Sequence, residues 1–299
     1  MQIGKADDGF DPDRQMIRTV LAPNPSAMTK DGTNTYILGS GRVAIIDPGP
    51  AMDQHLAAIL AALLPGESIS HIFVTHAHLD HSALAVPLAK ASGAGIHAFG
   101  PATTGQSLAM KSLTSRVKIG GGEGVDHDFC PDVLLADGAS VAGSTWRMTA
   151  IHTPGHMGNH LCYSAGDTLF SGDHVMGWSS SLISPPDGDM TDYMASLRKL
   201  ALQSWHSFFP GHGPVITQPA QKLAELSAHR RTREADLLNA IGIGASTITQ
   251  MAGLVYRDTN PKLMPAACRN ILAHLIDLEG RNLISASPFP SPDAEFRLT

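Results

Sequence analysis

The pattern of apolar and polar positions divides this chain into two parts. In the first part, short apolar runs alternate with longer Ala- and Leu-rich stretches that end at glycine or proline. Short runs of this kind predict buried strands, and the longer stretches predict helices. The predicted strands cover residues 36–38, 42–47, 70–75 and 96–99. The predicted helices cover residues 54–64 and 83–92. Alternating strands and helices indicate an α/β fold.

The pattern of apolar positions changes in the middle of the chain. Residues 103–135 interrupt the alternation and predict no regular element. After them, turn residues separate a series of short apolar runs, which predict strands over residues 145–150, 160–164, 168–170 and 207–209. A helix with an acidic start is predicted over residues 189–201.

The C-terminal part has helical periodicity. Thr217 and Ser246 are candidate caps for helices that reach about residue 241 and cover residues 247–256. A third helix, over residues 263–279, has Ile271, Leu275 and Leu278 on one face, and a strand is predicted over residues 282–286. Three helices and a strand are typical of a small winged-helix unit. We therefore predict two domains, residues 1–218 and 219–299.

Composition limits the classes of protein that this chain can represent. It has 299 residues, 43% of them hydrophobic and 16% charged, which argues against a disordered protein. The net charge of -6 counts against a dedicated nucleic-acid binder, although a local basic groove stays open.

Cysteine content and the N-terminus bear on location. The three cysteines are far apart and contain no C-x-x-C pair, so we expect no disulfide framework and a reducing compartment. Residues 1–14 are acidic, lack an apolar core and do not resemble a secretory signal. No apolar run is long enough to span a bilayer. A cytoplasmic protein without membrane association is expected.

The segment VTHAHLDHS, at residues 74–82, carries the candidate chemistry. His76 and His78 are two residues apart, so in an extended segment they point the same way and can share one metal ion. Asp80 and His81 follow as the chain turns and can reach a second ion. Imidazole and carboxylate donors suit zinc, with iron or manganese as alternatives.

Further ligands are expected on three loops that follow predicted strands. His156 lies in T-P-G-H, Asp173 in S-G-D and His212 in P-G-H-G. Glycine beside a ligand lets the backbone approach closely. We predict that His156 joins His76 and His78 at one metal, that His212 joins Asp80 and His81 at the other, and that Asp173 bridges the two.

In these motifs and their order, the chain resembles the metallo-beta-lactamase superfamily over residues 20–215. The resemblance implies an αβ/βα sandwich with a dinuclear metal site at one edge. It also implies that Asp47, in I-I-D-P-G, orients the site from behind the ligands. The tail, with A-H-R-R-T-R-E at residues 228–234, resembles the winged-helix extension of the beta-lactamase-like protein 2 subgroup, in which a mitochondrial member acts on single-stranded RNA.

Other residues near these motifs have two interpretations each. His160 is expected to be structural, and Tyr193 a half-buried core residue. His174 either faces substrate or packs, and the segment 178–181, which includes Trp178, is expected to line the cleft. Arg230, Arg231 and Arg233 either contact RNA phosphates or form a solvated helix face, and we favour the solvated face.

The sequence therefore predicts a zinc-dependent hydrolase with two Zn²⁺ ions per chain. A metal-bridging hydroxide would attack an ester, thioester, lactone or lactam carbonyl, or a phosphodiester, and Asp80 would orient it and carry a proton. The expected partner is a small-molecule substrate or single-stranded RNA, and a homodimer is possible. An endoribonuclease, an iron-dependent oxidoreductase and a non-catalytic winged-helix regulator remain alternatives. Di-iron electron carriers of this fold usually have H-x-E in place of His76-Ala-His78, which counts against that class. Mononuclear iron dioxygenases keep H-x-H, so the metal content decides between them and a hydrolase.

Overall fold

The computed structural model describes residues 16–122 and 124–299. The chain forms two facing mixed sheets with helices on their outer surfaces, followed by a helical C-terminal unit. The prediction that residues 1–14 are not a secretory signal lies outside the described residues.

The first sheet has six strands in sequence order, β1 to β6. The antiparallel strands β1, β2 and β3 are followed by the parallel strands β4, β5 and β6. The strands are Ile17–Leu21 (β1), Asn34–Leu38 (β2), Arg42–Ile46 (β3), Ser68–Phe73 (β4), Gly95–Ala98 (β5) and Val133–Leu134 (β6).

The second sheet has five strands in the order β11-β10-β9-β8-β7. These are Ser140–Ala142 (β7), Arg147–His152 (β8), Leu161–Ala165 (β9), Thr168–Gly172 (β10) and Ser207–Pro210 (β11). Strands β8, β9 and β10 pair antiparallel, and β10 pairs parallel with β11. As a result β8, β10 and β11 run the same way, and their carboxyl ends meet at one edge.

The helices of this part pack outside the sheets. They are Asp53–Ala61 (α1), Leu79–Ser82 (α2), Ala85–Ser92 (α3), Leu108–Thr114 (α4) and Met190–Leu200 (α5). Ile59 of α1 and Leu88 of α3 are buried against the first sheet, and Leu197 of α5 against the second.

A third apolar cluster fills the space between the two sheets. It combines residues such as Tyr36 and Phe73 from the first sheet with Tyr163 and Phe170 from the second. Helices outside two facing sheets make an αβ/βα sandwich, so the predicted fold is confirmed.

The C-terminal unit consists of three helices and a hairpin. Its elements are Pro219–Gly242 (α6), Ile248–Val255 (α7), Met264–Gly280 (α8), Ile284–Ser287 (β12) and Glu295–Leu298 (β13). Ile271, Leu275 and Leu278 are buried, as their spacing predicted. The hairpin forms the expected wing. Over residues 16–122 and 124–299, no helix is both long and apolar enough to cross a membrane.

Several local predictions were wrong. Helix α6 begins after Gln218 and not at a Thr217 cap, and α7 is capped by Thr247, not Ser246, through a capping box with Gln250. Strands β1, β6, β7 and β13 and helix α4 were not predicted. Ser107 caps α4, but the helix is too short for a clear periodicity.

The solvated-face interpretation of the three arginines was wrong for Arg230. Its side chain is buried, whereas Arg231 is exposed. Arg230 follows Leu226 by four residues, so it shares the buried face of α6. The helical spacing of the leucines was a signal for this burial, but the basic run around Arg230 masked it.

Candidate metal centre

The seven predicted ligands meet at the edge where strands of both sheets end. His76 and His78 follow β4, and Asp80 and His81 lie on the short helix α2. The other three follow β8, β10 and β11 and are His156, Asp173 and His212. Hydrogen bonds join the two sheets at this edge, from Leu161 N to Thr75 O and from Asn34 N to Gly211 O, both at 2.8 Å.

The first group of donors consists of three imidazoles. The Nε2 atoms of His76 and His156 lie 2.9 and 3.1 Å from Nδ1 of His78. The three donor atoms lie within 4.8 Å of one another. This is the combination that the sequence assigned to one metal.

The second group combines Asp80, His81 and His212. Oδ2 of Asp80 lies 3.2 Å from Nε2 of His212 and 3.6 Å from Nε2 of His81. Asp80 and His78 are the two half-buried members of the set. The cluster therefore meets solvent at these two side chains.

Asp173 lies between the two groups. Its Oδ1 is 3.5 Å from Nε2 of His81 and 3.4 Å from Nε2 of His212, while its Oδ2 is 3.7 Å from Nε2 of His156. One carboxylate oxygen thus faces each group, which is the arrangement that a bridging ligand requires.

Asp47 fixes the orientation of His81. Its Oδ2 accepts from Nδ1 of His81 at 2.9 Å and from Oγ1 of Thr75 at 2.8 Å, and its Oδ1 accepts from Thr75 N at 2.7 Å. Asp47 has φ 51°, a left-handed conformation that costs a non-glycine residue about 1–3 kcal/mol. Three hydrogen bonds offset this cost, and Nε2 of His81 is left for the cluster.

Backbone and hydroxyl oxygens orient three further imidazoles in the same way. Nδ1 of His156 donates to Leu182 O at 2.7 Å, and Nδ1 of His212 donates to Gly32 O at 3.1 Å. Nδ1 of His76 lies 3.0 Å from the hydroxyl of Thr75. With Nδ1 engaged, each ring turns Nε2 toward the cluster, as partners of metal-binding histidines commonly require.

Gly211 is required by close packing at the cluster. A β-carbon on this residue would lie 2.5 Å from Oδ1 of Asp173 and 2.6 Å from Cε1 of His81. Only glycine fits there, which explains the P-G-H-G spacing around His212.

The two groups of ligands differ in charge. Burial lowers the pKa of His78 to about 3 and lowers the pKa of His76 and His156 as well, with neighbouring imidazoles adding to the effect at His76. These three rings are therefore neutral at pH 7, the form that binds a metal ion.

In the other group, burial alone would lower the pKa of His81 and His212. The carboxylates of Asp80 and Asp173 outweigh burial, so the pKa of His81 is raised and that of His212 rises to about 10. Burial opposes ionisation of both carboxylates as well, but the two imidazoles hold the pKa of each below its usual range. Positive charge is strongly favoured at this position.

The donor set fits divalent cations. Nε2 of His81 and Oδ1 of Asp173 are buried and have no hydrogen-bond partner among the described residues, although they lie close together. Buried polar atoms are usually paired, and unpaired donor atoms that converge are typical of a metal site. The cluster can hold two cations, one at each group, with Asp173 between them.

A second polar cluster lies behind the ligands, and we call it the arginine cluster: Arg230, Asn270 and Ser181. The guanidinium of Arg230 donates to Ser181 O and, at 3.3 Å, to Oδ1 of Asn270. The Ser181 hydroxyl donates to Asp173 O, and Oδ1 of Asn270 also accepts from Ile183 N at 3.0 Å. Helices α6 and α8 thereby hold the segment that supports Asp173.

The remaining sequence interpretations have varied outcomes. His160 is buried and structural as expected, with Nδ1 3.0 Å from the Thr153 hydroxyl. Tyr193 is fully buried, not half-buried. His174 packs in the interior 4.8 Å from the Tyr193 ring, and burial lowers its pKa to about 3. Trp178 lines a pocket, whereas Ser181 is buried beneath it.

Sequence reasoning missed the supporting role of Arg230 and Asn270. No motif marks either residue, and both lie far from the ligands along the chain. Only the periodicity of α6 indicated that Arg230 faces inward.

Comparisons with known families match both parts of the chain. The family model for the metallo-beta-lactamase superfamily matches residues 28–212. The model for the beta-lactamase associated winged helix domain matches residues 247–288.

Individual relatives extend these matches. A beta-lactamase-like protein 2 homolog from Drosophila melanogaster is 33% identical over 292 residues, covering 93% of this chain and 91% of its own. An atrochrysone carboxyl ACP thioesterase from Aspergillus fumigatus is 32% identical over 231 residues, covering 74% of this chain and 64% of its own. The crystal structure of a beta-lactamase domain protein from Burkholderia ambifaria has a TM-score of 0.77 at 19% identity and covers 98% of this chain and 96% of its own.

Proposed function

Because the chain belongs to the metallo-beta-lactamase superfamily, we propose that it is a zinc-dependent hydrolase with two ions per chain that acts on an ester or thioester carbonyl. The observation that carries this proposal is the position of Asp173. One of its oxygens faces each group of donors, at 3.4–3.7 Å from the nearest imidazole nitrogens. A single metal would leave one of these oxygens and one group unused.

Bound divalent cations supply a Lewis acid and lower the pKa of water to about 7. The protein side chains provide orientation and proton transfer. Asp80 is the half-buried carboxylate of the cluster, and Oγ1 of Thr33 lies 3.4 Å from its Oδ2. We assign Asp80 the role of taking the proton of the attacking water and passing it to the leaving thiolate or alkoxide.

The carbonyl assignment has support from a relative. The Aspergillus fumigatus protein, 32% identical, is named for thioester hydrolysis. Water adds to the carbonyl carbon, the bond from carbon to the leaving sulfur or oxygen breaks, and a free acid and a thiol or alcohol result. No serine or cysteine nucleophile is needed, and the buried thiol of Cys162 has its pKa raised to about 12 by burial, which makes it inert.

The test begins with the metal content of the purified protein by elemental analysis. We expect two zinc ions per chain. The metal-loaded protein is then assayed with ester, thioester, lactone, lactam, phosphodiester and single-stranded RNA substrates, and we expect turnover of thioesters or esters. His206→Ala is the matched control, because His206 is exposed and belongs to neither donor group.

Two outcomes would overturn the proposal. Cleavage of RNA or phosphodiesters without any carbonyl hydrolysis would assign the site to phosphoryl transfer. Two tightly bound irons with a redox reaction, and no hydrolysis after zinc exchange, would assign it to an oxidoreductase. If the purified protein contains manganese and hydrolyses the same substrates, the proposed metal is wrong and the proposed reaction is retained.

A further inference from the structure

A small pocket lies between the metal-binding part of the chain and the C-terminal helices. Its volume is about 180 Å³. One wall comes from the segment 176–182 and from Ala27 and Met28, and the other from Tyr256 and residues 259–270. The winged-helix unit therefore supplies half of this pocket.

Both wall segments of the metal-binding part are connected to loops that position predicted metal ligands. Leu182 lines the pocket, and its carbonyl accepts from Nδ1 of His156 at 2.7 Å. Trp178 packs on Gly213, because a β-carbon there would lie 2.7 Å from its Cδ1, and Gly213 adjoins His212. The turn that carries Met28 continues to Gly32, whose carbonyl accepts from Nδ1 of His212. These two wall segments, residues 27–28 and 176–182, therefore place the pocket next to the backbone that positions His156 and His212, and the pocket itself is lined by none of the seven predicted ligands.

The lining is neutral and mainly apolar. None of the thirteen lining residues is charged, and side chains such as Met28, Met176, Leu182 and Leu263 dominate. Ligand pockets with an apolar lining and few polar groups take apolar groups. A phosphate or a nucleotide backbone would need cations here, and the lining provides none.

The volume of the pocket limits the size of the group that can occupy it. A pocket that encloses a whole drug-sized ligand has about 300–1,000 Å³, so about 180 Å³ takes one group of a substrate. A cavity of about 150 Å³ admits benzene, and the pocket therefore matches a group of about six carbon atoms.

We propose that this pocket binds the acyl group of the substrate, an uncharged chain or ring of about six carbons, while the thiol or alcohol part stays outside. This inference rests on the proposed hydrolase function and names its substrate class. The C-terminal helices then act in substrate selection, since Ala266 and Ala267 of α8 form part of the wall.

The test uses N-acetylcysteamine thioesters with acetyl, butyryl, hexanoyl, octanoyl and decanoyl groups on the metal-loaded protein. Each methylene that enters the pocket should raise kcat/KM by up to about fourfold. We expect the increase to end near hexanoyl, where the pocket is full. A flat series from acetyl to decanoyl would overturn the proposal.

A substitution that fills the pocket sharpens this test. Ala266→Leu adds side-chain volume to the wall, and we expect the hexanoyl-to-acetyl ratio of kcat/KM to fall at least tenfold. Ala228→Leu is the matched control, because Ala228 is an exposed helical alanine outside the lining, and its ratio should equal that of the wild type. An unchanged ratio in Ala266→Leu would contradict the proposal.

A second variant covers the case in which Ala266→Leu does not fold. Met28 is 46% exposed, so Met28→Ala has little effect on folding but enlarges the pocket. The preferred chain should then become longer than in the wild type. A preference that stays at the wild-type length would count against the pocket.

Binding of unreactive amide analogues of the acetyl and hexanoyl substrates, measured by calorimetry on the metal-loaded protein, separates the two proposals. Hexanoyl-selective binding without hydrolysis of any thioester or ester would keep the pocket and reject the hydrolase. Hydrolysis of every chain length at the same rate, with equal binding of both amides, would keep the hydrolase and reject the pocket.

Discussion

Two polar clusters lie side by side in this protein, and their charged groups are paired in different ways. The ligand cluster consists of the seven predicted metal ligands. It brings two carboxylates and five imidazoles close together. The arginine cluster has one cation, Arg230, whose guanidinium contacts neutral oxygens of Ser181 and Asn270 and the face of the Tyr193 ring, 5.0 Å from its centroid.

This difference indicates a different role for each cluster. In the ligand cluster, donor atoms such as Nε2 of His81 have no partner among the described residues, so we predict that an added cation stabilises the cluster. The arginine cluster contains its own cation, whose two terminal nitrogens donate within the chain, although Nε of Arg230 is also buried without a partner among the described residues. The first is a candidate metal site, and the second is a support for it, because Ser181 joins them through its bond to Asp173 O.

The largest expected effect comes from removing the ligand between the two donor groups. Asp173→Ala should lower kcat/KM more than about a hundredfold, since even the partners of metal ligands typically contribute 10–100-fold. Bound metal should fall below two ions per chain by elemental analysis. His206→Ala should change neither quantity, and full activity of Asp173→Ala with one metal would contradict the bridging role.

Metal removal tests whether the ligand cluster depends on cations and the arginine cluster does not. A ligand present at a thousand times its Kd stabilises the folded state by about 4 kcal/mol, which corresponds to a fall in Tm of roughly 6 °C after chelation. The measurement is thermal unfolding with and without chelator. In Asp173→Ala the chelator should have a smaller effect, and an equal effect would show that the metal binds elsewhere.

Loss of the arginine cluster should lower stability whether metal is present or not. Arg230→Met leaves the Ser181 carbonyl buried without this donor, at a cost of about 1–3 kcal/mol. Because the segment that supports Asp173 and His156 loosens, metal affinity by calorimetry should fall too. Arg231→Met is the control, because Arg231 is exposed one residue away. Urea unfolding measures the stability of both variants. If Arg230→Met is less stable but binds metal with the wild-type affinity, Arg230 has a structural role only.

The smallest expected effect concerns Asp192 on α5, the helix whose Tyr193 faces Arg230. Burial, aided by Asp189, raises the pKa of Asp192 to about 6 from 3.8. Its contribution to stability is therefore present below pH 4 and is lost as pH rises through about 6.

Asp192→Asn should therefore make the chelated protein slightly more stable than the wild type at pH 7.5, and no more stable at pH 4. Because Asp192 is only partly buried, solvent screening keeps the gain below about 1 kcal/mol. Urea unfolding at both pH values measures the difference. A variant less stable than the wild type at pH 7.5 would contradict the sign.

The two clusters also differ in how far the sequence predicted them. The predicted ligands lie in compact motifs and directly after strands, and the structure brings all seven together; two of the three donor groups match the predicted division, while the third joins His76 to His81 and Asp173. That they hold metal stays a prediction. Arg230 and Asn270 lie on separate helices without any motif, and the basic run around Arg230 favoured a solvated face.

The helices and strands also differ in whether the sequence predicted them. Long periodic helices such as α6 and α8 were predicted, because apolar spacing repeats over several turns. The helix α4 and the strands β1, β6, β7 and β13 were missed, because a short element is stabilised by its neighbours more than by its own pattern.

The sequence by itself determined the chemistry of this protein: which donors are present, their spacing, and the α/β alternation that carries them to strand ends. Only the tertiary structure decided which remote side chains support that chemistry and which residues form the pocket beside it. The physical reason is that residue type is a property of single positions, whereas the arginine cluster and the pocket exist only where helices from the end of the chain pack against loops from its beginning and middle.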